Sequence, residues 1–208
     1  MAAGKLLAQD PFPWDVPQNR RQETPLDQRS RPGRTVIGAT VALEMAASGA
    51  FSGPLVLLAP SFSREGEAKF FRALDRLSRV LAHLPYVAML KLIPGEVKAR
   101  PLSRDRRDVL VVELQKNDPR FMRKAFRSYL QYLDRYGSVA SRLCEAMVPA
   151  WVVHGESGDG GITREDRRTF QGCPRIRVIT IPGPSFLTAS EEPALVADLV
   201  VEALAQTH

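Results

Sequence analysis

Three short apolar runs punctuate the chain: Leu55-Val56-Leu57-Leu58-Ala59-Pro60, Val148-Pro149-Ala150-Trp151-Val152-Val153-His154-Gly155 and Ile176-Arg177-Val178-Ile179-Thr180-Ile181-Pro182-Gly183. Each is rich in aliphatic and β-branched residues and bounded by Pro or Gly, the pattern of a buried parallel strand. Between the first and second runs, helix-period patterns occupy Glu67 to Leu84, Arg104 to Lys116 and Pro119 to Tyr136, with Pro85, Pro94, Pro101 and Pro119 as punctuation. A small-residue stretch, Gly38 to Gly49, reads as a further helix. Strands separated by helices predict right-handed βαβ connections and an α/β fold. Residues 1–35 differ. They hold Pro11, Pro13, Pro17, Pro25 and Pro32 among Arg20, Arg21, Arg29, Arg31 and Arg34, with no apolar run that could offset ordering entropy. A disordered leader is expected there, and it lacks the apolar centre of a signal peptide.

The helix opening at Gly38, the three strands in this order and the Gly155-Glu156 pair at the end of the second together resemble the second half of an α/β-hydrolase, from roughly Ile37 to Ala205. The resemblance implies a partial α/β-hydrolase-like parallel sheet flanked by helices. A leader, 1–35, would precede a domain spanning 36–208, with a helical cap inserted at about 61–148. It also implies a nucleophile elbow, Gly-x-Ser-x-Gly, in which the Ser stands on a strained turn between strand and helix. Setting the second glycine on Gly38 puts the nucleophile slot on Val36 and the first glycine on Arg34. Valine has no nucleophilic atom. The N–H of Ile37 would then be an oxyanion donor, and Asp159 falls where the family carries its catalytic acid. The competing reading for Asp159 is a turn, or a cap of the helix begun by Thr163-Arg164-Glu165-Asp166, which has the form of a capping box. The histidine slot falls on Phe186, after Ser185, so no base stands there.

One coding possibility accounts for the mismatch at Val36. Gly33-Arg34-Thr35-Val36-Ile37 can be encoded so that a one-nucleotide shift reads Gly-Gly-Gln-Ser-Leu, which completes an elbow when Gly38 follows. The expectation is that family-like sequence begins near Gly38, after an out-of-frame or otherwise replaced leader. Substitutes for the missing groups are not evident. Of the histidines, His83 lies in an amphipathic helix, His154 ends a buried strand and His208 is the last residue. Cys144 reads as a small buried hydrophobe and Cys173 precedes a proline at a strand entry; the two give no metal spacing and no disulfide framework, so a reducing cytoplasm is expected. Ser61 and Ser63 are expected to cap the next helix.

The 208 residues carry a net charge of +6, which raises nucleic acid as a partner. Arg120, Arg123, Lys124 and Arg127 interleave with Phe121, Phe126 and Tyr129. The favoured reading is a solvated helix face, and nucleic acid is not expected as a partner. The aromatics Phe70, Phe71, Tyr86, Phe121, Phe126, Tyr129 and Tyr132 either line an apolar substrate cavity or hold helices together. No apolar stretch approaches the roughly 20 residues of a membrane span, and no cofactor or metal is expected. Two functions remain. One is a hydrolase-family protein, ancestrally cleaving ester or related acyl bonds in a small hydrophobic substrate, with activity impaired or lost. The other is a noncatalytic truncated remnant that binds a ligand or partner. Loss of the strands beyond the elbow would leave an open sheet edge and favour self-association.

Overall fold

A computed structural model describes residues 35–100, 102–156, 161–183 and 187–206. The expected leader, the acid position Asp159, the slot Ser185-Phe186 and His208 lie outside the described residues. In chain order the elements are α1 (Thr35–Ala47), β1 (Leu55–Leu58), α2 (Lys69–Leu81), α3 (Leu84–Lys98), α4 (Arg104–Gln115), α5 (Pro119–Tyr136), α6 (Ala140–Glu145), β2 (Ala150–Gly155), α7 (Arg164–Gln171), β3 (Ile176–Ile181), α8 (Thr188–Glu191) and α9 (Pro193–Ala205).

The three strands form one parallel sheet in the order β1-β2-β3, with Leu57 opposite Val152 and Val152 opposite Val178. Central β2 is apolar along nearly its whole length because both faces are covered: Ala150 to His154 are all buried. One face carries the main core, in which Ala39, Leu43 and Ala46 of α1 meet Leu55, Leu57, Ala150 and Val152. The small residues of α1 let that helix lie close to the sheet. The opposite face packs Trp151, Val153 and Ile181 against Leu199 and Ala203 of α9.

The helices between β1 and β2 divide by what they cover. Tyr129, Leu130 and Leu133 of α5, with Ala140 and Leu143 of α6, join the same core as α1 and the sheet. The pair α3–α4 makes a separate cluster from Val97, Leu102, Leu110 and Leu114, closed by Leu187 beyond β3. The segment expected as a single insertion thus contributes its last two helices to the main body. Three boundaries match the sequence pattern closely: β1, β2 and β3 sit on the three apolar runs.

Two sequence expectations need correction. Cys144 and Cys173 are joined in a disulfide, with their Cα atoms 5.6 Å apart. Their separation of 29 residues hid the pairing, because only the packing of α6 beside α7 brings them together. Ser61 and Ser63 do not cap α2, whose N-cap is Ala68 without a side-chain bond. They fold the preceding loop instead: Ser63 Oγ accepts the Gly66 N–H at 3.2 Å, and the Ser61 hydroxyl reaches the Gly66 carbonyl at 3.5 Å.

Candidate functional site

Ligands of open α/β sheets bind at the carboxyl ends of the strands, and here those ends feed three loops. The loop after β1 begins at Ala59, held at φ 48° in the left-handed region that a residue with a Cβ adopts at a cost of roughly 1–2 kcal/mol. Its N–H still donates to Val153 at 2.9 Å, so the turn is pinned to β2. The loop then runs over the sheet end, where Phe62 O accepts from Val139 N at 2.7 Å. Gly66 O accepts from Gly161 N at 2.7 Å, which joins this loop to the one after β2. Only glycine fits at 66, since an added Cβ would lie 2.4 Å from Gly161 O. The loop carrying the Asp159 position is therefore clamped at its far end, two residues beyond that position.

Clamping continues into α7. Thr163 is its N-cap, and its hydroxyl accepts from Asp166 N at 3.1 Å while Asp166 accepts the Thr163 N–H at 2.9 Å. The capping box read from the sequence is present. Asp166 is fully buried and also accepts the Ser138 hydroxyl at 2.7 Å, tying α7 to the turn before α6.

At the amino end of the fold, Val36 is the second residue of α1, so the chain is already helical where an elbow would present a nucleophile. Ile37 is the third. Its N–H belongs to the first turn, whose donors have no partner within the helix.

His154 closes β2 at the same sheet end, but its ring is committed. With Nδ1 carrying the proton toward Gly155 O at 3.0 Å, Nε2 accepts from Thr180 Oγ1 at 2.9 Å and from the Arg167 guanidinium at 3.0 Å. Burial pushes its pKa below the usual histidine value; the Gly155 carbonyl opposes that shift and the charge of Arg167 adds to it. The imidazole is neutral and structural, as its strand-end position suggested. His83 stands at the N-cap position of α3. Among the described residues no histidine hydrogen-bonds a serine or cysteine, and the disulfide removes both thiols as nucleophiles.

Sequence reasoning missed a buried polar pair beneath this surface. Glu67 is nearly inaccessible and accepts the Tyr129 hydroxyl at 2.7 Å and the Ala68 N–H at 3.2 Å. Burial raises the pKa of the Glu67 carboxyl despite those bonds, and burial together with Glu67 raises that of Tyr129. Of the aromatics expected to line a cavity or join helices, Phe71 of α2 meets Phe126 of α5, beside Tyr129, and joins the two helices. Phe71 and Phe126 have ring centroids 5.1 Å apart, and Phe126 and Tyr129 5.6 Å. This occupies two of the three aromatics interleaved with the basic residues of α5, leaving only Phe121 of that set exposed. Among the described residues no group of three or more His, Cys, Asp or Glu side chains could hold a metal ion, and no helix is long and apolar enough to cross a membrane.

No family model and no curated protein matches the chain. Solved structures do. MenH from S. aureus superposes with a TM-score of 0.56 at 18% identity, over 81% of this chain and 65% of that one. The enol-lactonase from Burkholderia xenovorans LB400 gives 0.56 at 16% identity, over 81% and 63%. E-2-(acetamidomethylene)succinate hydrolase gives 0.55 at 14%, over 81% and 64%. The chain spans less than two thirds of the length of each of these proteins. The parallel sheet, its helical covering and these superpositions identify the chain as a protein of the α/β-hydrolase fold, present in part.

Proposed function

We propose that this chain derives from hydrolases of ester or related acyl bonds in a small hydrophobic substrate and that, as it stands, it has little or no such activity. One observation carries the reading. Among the described residues there is no nucleophile–base pair: both cysteines are bridged, and His154 spends its ring nitrogens on Gly155, Thr180 and Arg167. Acyl transfer by the family route needs that pair, and an acid at Asp159 cannot replace it. What survives is accessory. An aspartate at 159 could orient a histidine, and the Ile37 N–H could stabilise an oxyanion, but neither forms nor breaks the acyl bond. The second reading, a noncatalytic protein that binds a ligand or partner, is favoured by the helical backbone at Val36, where an elbow would need a turn.

The remaining parts of the proposal rest on packing. The helix pair α3–α4 serves as a cap, supported by its contact with Leu187 and by the Arg106 bond to Ser190 O at 3.4 Å, both just beyond the Phe186 slot. The outer edge of β1 is a site of self-association. Leu55 and Ala59 donate their N–H groups to Pro149 and Val153, so those of Val56 and Leu58, out of phase by one residue, face the other side. No charged residue lies in β1 to discourage pairing.

A fluorophosphonate probe tests the catalytic reading. The expected outcome is no heat-sensitive labelling of the full chain and no ester turnover above buffer. Labelling of a serine that disappears on heating would establish an active enzyme and end this proposal. Light scattering on the same preparation tests the edge. Oligomers are expected, and a monodisperse monomer at high concentration would remove self-association.

A further inference from the structure

Beside the clamped loop lies a cleft of about 340 Å³ lined by Arg64, Glu65, Arg72 and Arg76. We propose that it binds a small anion through a carboxylate or phosphate group. The volume suits a metabolite-sized ligand, which needs about 300 Å³ or more. The charges facing it are unequal in their commitments. Arg64 is held in place by Asp75 at 3.1 Å and by Asp134, and Asp75 also pairs with Arg79 at 3.1 Å. Glu67, whose carboxyl feels the charge of Arg72, accepts the Tyr129 hydroxyl. Arg72 and Arg76 have no ion-pair partner among the described residues. They stand four residues apart on α2, so their side chains leave the same face of the helix and can close on one anion. Guanidinium forks match the paired oxygens of carboxylate and phosphate, and such charge-assisted bonds are roughly twice as strong as neutral ones.

Glu65 gives the site a bias. Its carboxylate opposes a densely charged ligand and favours one that also presents a hydrogen-bond donor beside its anionic group. Location gives the site a neighbour: Glu65 adjoins Gly66, whose carbonyl holds Gly161. A ligand here would rest on the same hydrogen-bonded junction that fixes the loop after β2. Binding requires neither a nucleophile nor a base, so it stands or falls apart from the hydrolase reading.

Calorimetric titration of the full chain with inorganic phosphate, and separately with succinate, tests the site, with ionic strength matched by sodium chloride. Saturable one-site binding of at least one anion is expected, and the two arms distinguish phosphate from carboxylate. Arg72→Gln/Arg76→Gln should weaken the binding at least roughly tenfold. The single variant Arg76→Gln, at an exposed position that no pairing ties to the fold, should weaken it in the same direction. Arg127→Gln, an exposed arginine of α5, should leave it unchanged. Absence of saturable binding with both anions would overturn the site. So would an equal loss in Arg127→Gln, which would mean that general surface charge is responsible.

Discussion

Replacing Arg142 with alanine is expected to lower folding stability by about 3 kcal/mol. Arg142 on α6 grips Glu44 of α1 through two bonds of 2.7 Å each, from Nε and Nη2. The Tyr132 hydroxyl of α5 donates to the same carboxylate, and the guanidinium lies over the Tyr136 ring at 4.6 Å from its centroid. Glu44 is only 6% exposed. Without Arg142 its charge would stay buried with one neutral donor, a state that costs several times more than an exposed pair is worth. The partial exposure of Arg142, 30% for its side chain, sets the estimate at the low end of the range for broken buried pairs. Denaturant unfolding measures it, and a loss under about 1 kcal/mol would place the pair among ordinary surface bridges. Glu44→Met/Arg142→Met should recover much of the loss, because it removes the stranded charge along with its partner.

Reduction of the Cys144–Cys173 bridge should cost about 3 kcal/mol, and Cys144→Ser/Cys173→Ser a similar amount. The bridge closes a 29-residue loop that contains all of β2 and α7. Opening it restores chain entropy to the unfolded state while leaving the folded contacts nearly unchanged. Melting with and without dithiothreitol measures the effect, and the serine variant should show no further response to reductant. Equal melting in both conditions would mean that the two sulfurs do not bridge in solution. The cytoplasmic location expected from the cysteines loses its argument with this bridge, since a glutathione-buffered compartment favours thiols. Alkylating the protein in fresh extract counts them directly: two reactive thiols place it in a reducing compartment, and none in an oxidising one.

The pattern along the chain was enough to read the strands because each buried strand needs an unbroken apolar run and each surface turn needs Pro or Gly. The same logic read α5 and the Thr163–Asp166 capping box, which are local features set by residues within one or two turns. It could not assign α5 and α6 to the main core. Their amphipathic faces state that something covers them, and the covering residues, Leu43 of α1 and Val152 of β2 among others, lie far away in sequence. The Glu44–Arg142 and Glu67–Tyr129 pairs were hidden for the same reason, being separated by 98 and 62 residues.

The candidate site divides likewise. From its residues alone the chain lacks a serine at Val36 and a histidine at Phe186, because the identity of a catalytic atom is a property of the side chain wherever it folds. Sequence by itself also determined the α/β class, through the alternation of strand and helix periods. Tertiary structure decided which groups remain chemically available. It spent His154 on three neighbours and bridged the cysteines. It stacked Phe126 and Tyr129 into a helix contact, and among the described residues it left Arg72 and Arg76 without an ion-pair partner beside a cleft. Availability depends on distances between remote parts of the chain, and those are settled by packing, in which each contact is worth little alone and many must agree.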